Sequence, residues 1–125
     1  MSWVIDYLPE HRVVRVTTSG TMALDQIKQM AEDALAAGTA HGVDHFLVDH
    51  RLMVPALSHE EIFDLPRISE EQGVAPTTRV AIVFSPDSPR REDFFFYEVR
   101  TRSKGNSNIR QFNDYNQALD WLLER

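Results

Sequence analysis

Residues 79–85 read Arg-Val-Ala-Ile-Val-Phe-Ser and form the most apolar stretch of the chain. A short, unbroken apolar run is typical of a parallel strand that is covered on both faces, so we predict a strand near the centre of a sheet. Residues 46–49, Phe-Leu-Val-Asp, predict a second buried strand, and residues 109–112 predict a last short one. These three runs indicate a sheet that is largely parallel.

The segments before these strands predict an antiparallel hairpin. Residues 3–8 and 12–19 alternate between large and polar side chains, as half-buried strands do. Only Pro9-Glu10-His11 lies between them, whereas a parallel crossover needs about a dozen residues or more. We therefore expect the two strands to pair antiparallel, with the first strand at an edge of the sheet.

Two helices are predicted in the first half of the chain. The apolar residues of 24–37 recur at helical spacing, and Gly38 is a typical helix stop. Thr21 is a suitable cap for the helix start, and the alternative is a second strand that continues to Met22. Ser58 and Glu61 match a capping box, which marks the start of the second helix. Pro66 lies inside that helix and is expected to kink it or to split it in two.

Two further helices are predicted at 89–103 and after Asp114. The order ββαβαβαβα is typical of an α/β fold with right-handed crossovers. We predict a mixed five-stranded sheet whose first hairpin is antiparallel and whose remaining strands are parallel, in a single domain over residues 1–125.

The composition limits the chemistry that the chain can perform. The 125 residues include no cysteine, and the formal net charge is −6. Disulfides, thiolate nucleophiles and cysteine-ligated metal sites are therefore excluded. The acidic balance disfavours a nucleic-acid partner, and no apolar run is long enough for a membrane span. We expect a cytoplasmic protein that has no secretory signal and needs no cofactor.

Three segments resemble the STAS-like superfamily, named for sulfate transporters and anti-sigma-factor antagonists. They are the hairpin that ends at Gly20, the strand 46–49 and the segment 110–123. In the last of these, the matching residues are Phe112, Asp114, Ala118, Trp121 and Leu122. The chain is most similar to small stand-alone bacterial members of unassigned function, and the resemblance implies a STAS-like fold.

Better-known members of the superfamily imply a phosphorylation switch. They carry a phosphorylatable serine at the start of the helix after the third strand, preceded by an aspartate that Asp49 matches here. Residues 50–57 contain no Asp-Ser-Ser-Gly-like motif, so the switch motif is not intact. The nearest serine, Ser58, is predicted as a helix cap. Because phosphate is electrostatically favourable at a helix start, Ser58 stays a candidate phosphorylation site.

Polar residues end two of the predicted parallel strands. Asp49, His50 and Arg51 end one, and Ser85 and Asp87 follow the other. Open α/β sheets bind ligands at the carboxyl ends of their strands, and this set of side chains suits acid–base chemistry or an anion. In the alternative interpretation, Asp49 caps local backbone groups while His50 and Arg51 are solvated.

The histidines His41, His45, His50 and His59 have no metal-binding spacing, and no His-Glu-x-x-His motif occurs. We interpret them as scattered surface residues and expect no metal site. The chain also has no Gly-x-Ser-x-Gly elbow and no glycine-rich phosphate loop. No catalytic residue is therefore assigned.

Four aromatic residues, Phe94, Phe95, Phe96 and Tyr97, lie in the predicted helix 89–103. They sweep about 300° of the helix surface, whereas a core-facing stripe is only somewhat wider than about 100°. They are therefore expected to meet neighbouring helices, another subunit or an apolar ligand. Residues 90–110 carry six basic and three acidic residues, which suits an acidic protein partner, a phosphate-bearing ligand, single-stranded nucleic acid or a solvated helix face.

Three hypotheses for the function follow. The leading one is a non-enzymatic regulatory or protein-interaction domain that forms a homodimer. The alternative is a carrier or sensor of a small apolar or anionic, lipid-like ligand, held between Phe94–Tyr97 and the carboxyl ends of the strands. The third is an enzyme, which requires Asp49, His50 and Arg51 to converge on a cleft.

Overall fold

The computed structural model describes residues 3–72, 77–87, 92 and 108–124. The strands are β1 (Trp3–Leu8), β2 (Val13–Ala23), β3 (His45–Ala56), β4 (Arg79–Val83) and β5 (Ile109–Phe112). The helices of the described part are α1 (Leu24–His41), α2 (His59–Glu71) and α3 (Tyr115–Leu122). Among these, no helix combines the length and the apolar character that crossing a bilayer requires.

The strands form one mixed sheet in the order β1-β2-β3-β4-β5. β1 pairs antiparallel with β2, and every later pair is parallel. The predicted hairpin, its position at the edge and the mixed five-stranded sheet are thereby confirmed. β4, which contains the apolar run quoted first, is an interior strand, although β3 occupies the middle of the sheet.

The helices pack on both faces of the sheet. On one face, which we call the cavity face, α1 and α2 cover inward residues of the strands such as Val16, Val48 and Ile109. On the other face, α3 covers Val13 and Leu47 together with their neighbours on β4. Strand alternation therefore sends successive residues of each strand to two separate apolar cores.

Both β2 and β3 are longer than their apolar patterns predict. Beyond Ser19 and Asp49 they continue as a two-stranded ribbon, paired from Ser19↔Leu52 to Ala23↔Ala56. The predicted ends at residues 19 and 49 were wrong, because ladder hydrogen bonds between the two strands, rather than their apolar runs, decide where they end. The alternative in which β2 continues to Met22 stops one residue before the observed end at Ala23.

Helix α1 passes through Gly38 and ends at His41, so the predicted stop at Gly38 was wrong. The residue that ends the helix is Gly42, which has a φ of 66° and whose N–H bonds to carbonyls of the last turn. Gly38 is buried, and a Cβ placed on it would lie 2.6 Å from Phe46 Cζ and 2.9 Å from the carbonyl oxygen of Val43. It is a glycine because β3 approaches α1 closely there.

Helix α2 begins at the predicted capping box. The Ser58 hydroxyl accepts from the Glu61 N–H at 3.0 Å, and the Glu61 carboxylate accepts from the Ser58 N–H at 2.8 Å. The helix continues through residue 66 as one element, so the predicted split into two helices was wrong. Ile62, Leu65 and Ile68 are all buried in one core, which holds both sides of the proline together.

Candidate functional site

A β-bulge on β3 organises the polar residues of the described structure. Between Thr17↔Asp49 and Ser19↔Leu52, β2 advances by two residues while β3 advances by three. Two residues of β3, His50 and Arg51, therefore lie opposite the single residue Thr18 of β2. Alternation along β3 sends His50 to one face of the sheet and Arg51 to the other, and the extra residue places Leu52 on the same face as Arg51.

His50 lies on the cavity face and is buried. Its Nδ1 lies 2.7 Å from the Thr18 hydroxyl oxygen, which itself donates to the carbonyl oxygen of Asp49 at 3.1 Å. A hydroxyl has one proton to donate, so with the Thr18 proton on the bond to the Asp49 carbonyl we assign the proton of the His50 ring to Nδ1. Nε2 is then an acceptor, and it makes no hydrogen bond to the residues that the structure describes.

Burial also determines the charge of His50. Removal of the ring from water lowers its pKa from 6.5 to about 4, while the nearby charge of Asp49 acts in the opposite direction. The imidazole is therefore neutral at pH 7, and the surface position expected for this residue was wrong.

A cavity of about 130 Å³ lies beside His50, between α1, α2 and the sheet. Most of its walls are apolar, among them Ile27 and Ala31 of α1 and Leu65 of α2. Gln72, just after α2, donates to the carbonyl oxygen of Lys28 at 2.9 Å and joins the two helices where they border the cavity. His50 is thus a buried polar group that borders a mostly apolar space, as is Thr78.

Asp49 and Arg51 lie on the opposite face. Arg51 donates to both carboxylate oxygens of Asp49, from Nε at 2.9 Å and from Nη2 at 2.8 Å, and its backbone N–H donates at 3.1 Å. Burial alone raises the pKa of the Asp49 carboxyl, but the bonds and charge of Arg51 outweigh it, so the pKa is lowered. Asp49 is therefore an ionised anchor that holds Arg51 in place.

A second ion pair lies next to the first. Arg15 of β2 donates to Asp6 of β1 at 3.3 Å and to the hydroxyl of Tyr115 at 3.2 Å. The guanidinium of Arg51 lies 5.4 Å from the centre of the Tyr115 ring. Tyr115 therefore joins the two pairs into one network of two arginines, two aspartates and an aromatic ring.

This network lies on a part of the sheet that α3 leaves uncovered. Three large apolar residues surround it, and they are strongly exposed: Val4 by 60%, Leu52 by 70% and Val54 by 45%. We call this surface the open face; it comprises Val4, Asp6, Arg15, Thr17, Ser19, Thr21, Asp49, Arg51, Leu52 and Val54. An exposed apolar patch of this kind marks a contact surface more often than a solvated one.

The structure divides the predicted ligand-binding residues among three places. Asp49 and Arg51 belong to the open face, while His50 borders the cavity on the other side of the sheet. Ser85 and Asp87 form a turn after β4, in which the Ser85 hydroxyl accepts from the Asp87 N–H at 3.3 Å. Because strand alternation separates His50 from its two neighbours, the three do not converge on one cleft.

The other predicted candidates are also dispersed. Ser58 serves as the cap of α2. His41 stacks on Tyr7 with ring centres 3.9 Å apart, and His45 lies 3.4 Å from Asp44. Within the described part of the chain, no group of three His, Asp or Glu residues could hold a metal ion.

Two predictions fall largely outside the described residues. Phe94–Tyr97 are not described, and neither is the predicted helix 89–103 apart from residue 92, which is helical and exposed. Of the basic residues in 90–110, Arg110 is described, and its guanidinium lies 6.0 Å from the centre of the Trp121 ring.

The pattern of the sequence alone did not reveal Thr18, Tyr115 or Leu52 as parts of a site. Thr18 and Tyr115 act through partners 32 and 100 positions away along the chain. Leu52 opens the apolar run Leu52–Pro55, which has no alternation that would show which of its residues is exposed.

The comparisons with known proteins show the fold. No family model and no curated protein matches the chain. An uncharacterised protein of the DUF3478 family from Shewanella loihica PV-4, with a SpoIIAA-like fold, is 21% identical, with a TM-score of 0.54 over 96% of this chain and 91% of that one. The anti-sigma factor antagonist SpoIIAA in its unphosphorylated form is 11% identical, with a TM-score of 0.52 over 96% of both chains. The predicted STAS-like fold is thereby confirmed.

Proposed function

We propose that the chain is a non-enzymatic regulatory domain that acts through protein contacts, and that the open face is its contact surface. The carrying observation is the exposure of Val4, Leu52 and Val54 around an ordered network of ion pairs. Apolar groups around fixed polar groups are characteristic of protein interfaces. The similarity to SpoIIAA, an anti-sigma factor antagonist, supports a regulatory role for this fold.

Charge favours a second copy of the same chain as the occupant of the open face. The chain carries −6 overall, so two copies repel each other over most of their surfaces. The open face carries two aspartates and two arginines, so its own charge is balanced. Under a twofold axis the same patch meets itself, and a surface with alternating signs can place an acid opposite a base. We therefore propose a homodimer.

Leu52→Lys is expected to weaken this self-association by at least about tenfold, because it places a charge at the most exposed apolar position of the open face. Leu52 has little packing to lose, so the free energy of unfolding of the monomer should change by less than about 0.5 kcal/mol. Sedimentation velocity between micromolar and hundreds of micromolar protein measures the dimer dissociation constant.

Phe63→Lys is the matched control. Phe63 is similarly exposed, at 58%, but it lies on α2, away from the open face. We expect the control variant to dimerise like the unmodified chain. A chain that stays monomeric over the whole concentration range contradicts the homodimer. Equal weakening by the two substitutions contradicts the assignment to the open face.

A further inference from the structure

We infer that the cavity beside His50 is a binding site for a small neutral molecule that is mostly apolar and carries a single hydroxyl or N–H donor. The site goes beyond the proposed contact surface, since it lies on the opposite face of the sheet. A cavity of about 130 Å³ matches a ligand about the size of one aromatic ring, since a cavity of roughly 150 Å³ holds benzene.

The apolar walls determine most of the ligand's character. α1 contributes Ile27, Met30 and Ala31, α2 contributes Leu65 and Ile68, and the sheet contributes Val48, Met53, Val80 and Ile82. Such walls favour the binding of an apolar ligand, and they offer no partner to a charged group of the ligand inside the cavity.

His50 determines the polar part. Its Nδ1 is occupied by Thr18, which leaves Nε2 as an acceptor on the side of the ring away from β2. His50 lines the cavity, and Nε2 makes no hydrogen bond to a described residue, so a ligand donor placed there gains a hydrogen bond. Because burial keeps the imidazole neutral at pH 7, the site accepts a proton donor and does not attract a carboxylate.

A charged ligand would have to use the mouth of the cavity instead. Lys28 is the charged residue among the described cavity-lining residues, and it is exposed on α1. An anion held by Lys28 would leave Nε2 unsatisfied. The geometry therefore favours a neutral donor beside His50 over an anion at the mouth.

Phenol, toluene and benzoate are the probes that test this inference. Phenol and toluene have nearly the same shape, and only phenol carries a donor. Titration of the full chain by NMR gives the dissociation constants, and the ¹⁵N resonance of His50 Nε2 reports the hydrogen bond directly. We expect both neutral probes to bind in the millimolar range or tighter and phenol alone to shift the Nε2 resonance strongly.

Two variants sharpen the test. His50→Phe should weaken phenol relative to toluene by about tenfold, the effect of one lost hydrogen bond. Ala31→Leu fills the cavity and should weaken both probes together. If His50→Phe does not fold, the change in the ¹⁵N resonance of His50 Nε2 in the unmodified chain still tests the hydrogen bond to phenol.

Several results would overturn the site. They are the absence of binding by either neutral probe, equal effects of phenol and toluene on Nε2, and tighter binding of benzoate than of phenol. Unchanged binding to Ala31→Leu would mean that the probes bind elsewhere, which would overturn it as well. None of these outcomes depends on dimerisation, because the Leu52→Lys variant should bind the probes as the unmodified chain does.

Discussion

A change from pH 7.5 to pH 5 is expected to cost about 2 kcal/mol of folding free energy through His50 alone. The pKa of this residue is about 4 in the folded chain and 6.5 when it is solvated. Between these values the unfolded chain binds a proton that the folded chain does not, so stability is lost as the pH falls below about 6.5. Below pH 4 the loss levels off near 3 kcal/mol.

The groups around His50 do not mask the loss of stability between about pH 6.5 and pH 4. Asp49 has a pKa that is lowered from 3.8, so its contribution to stability is lost only as the pH falls below about 4. Among the described residues of α1 that line the cavity, Lys28 is the charged one. Leu65 and Ile68 of α2, and Gln72 just after it, line the cavity and have no titratable group.

Urea unfolding at several pH values measures the effect, and His50→Phe is the control. The variant has no group to protonate, so the difference in stability between pH 7.5 and pH 5 should shrink by about 2 kcal/mol relative to the unmodified chain. Parallel pH profiles for the two chains would show that His50 is solvated or already charged, and would contradict the buried position.

Gly38→Asn is expected to lower the free energy of unfolding by about 2 to 3 kcal/mol. A side chain at this position meets the Phe46 ring and the backbone carbonyl of Val43 at distances that real Cβ atoms essentially never show. The carbonyl is a backbone atom and cannot shift as a flexible side chain can, so α1 must move away from β3. Helix propensity does not compensate, since asparagine is only slightly better than glycine inside a helix.

The same substitution at Gly42 provides the comparison. Gly42 has a left-handed conformation with open space around its Cα, and asparagine tolerates that conformation better than most residues. Gly42→Asn should therefore cost no more than about 0.5 kcal/mol. If Gly38 were the end of the helix, as its sequence context predicts, the order of the two costs would be reversed. Thermal and urea unfolding of both variants distinguish these cases.

The two faces of the sheet have separate consequences for function. Residues 49–52 of β3 supply the open face with Asp49, Arg51 and Leu52, and they supply the cavity with His50. The open face carries the proposed contact with a second copy, and the cavity carries the proposed ligand. Leu52 and His50 lie on the same strand but on opposite faces of the sheet. Their substitutions therefore test the two proposals independently.

Local sequence patterns were sufficient for the elements and their pairing. The hairpin, the parallel strands, the Ser58 capping box and the Asp114 cap of α3 all depend on residues within about four positions of one another or on the length of a connection. The resemblance to the STAS-like superfamily rests on that order together with the hairpin that ends at Gly20, the strand 46–49 and the segment 110–123, and the solved structures have the same fold. These features depend on short-range chemistry, which a sequence displays directly.

The ends of the elements and the composition of the site were decided by tertiary contacts. Gly38 and Gly42 look alike in the sequence, and only the approach of β3 to α1 shows which of them ends the helix. Asp49, His50 and Arg51 look like one cluster, but alternation along β3 separates His50 from the other two, and only the bulge against β2 brings Leu52 to the same face as Arg51. The physical reason is the same in each case. Strand register and helix approach bring together residues that are distant along the chain, and no local pattern encodes those distances.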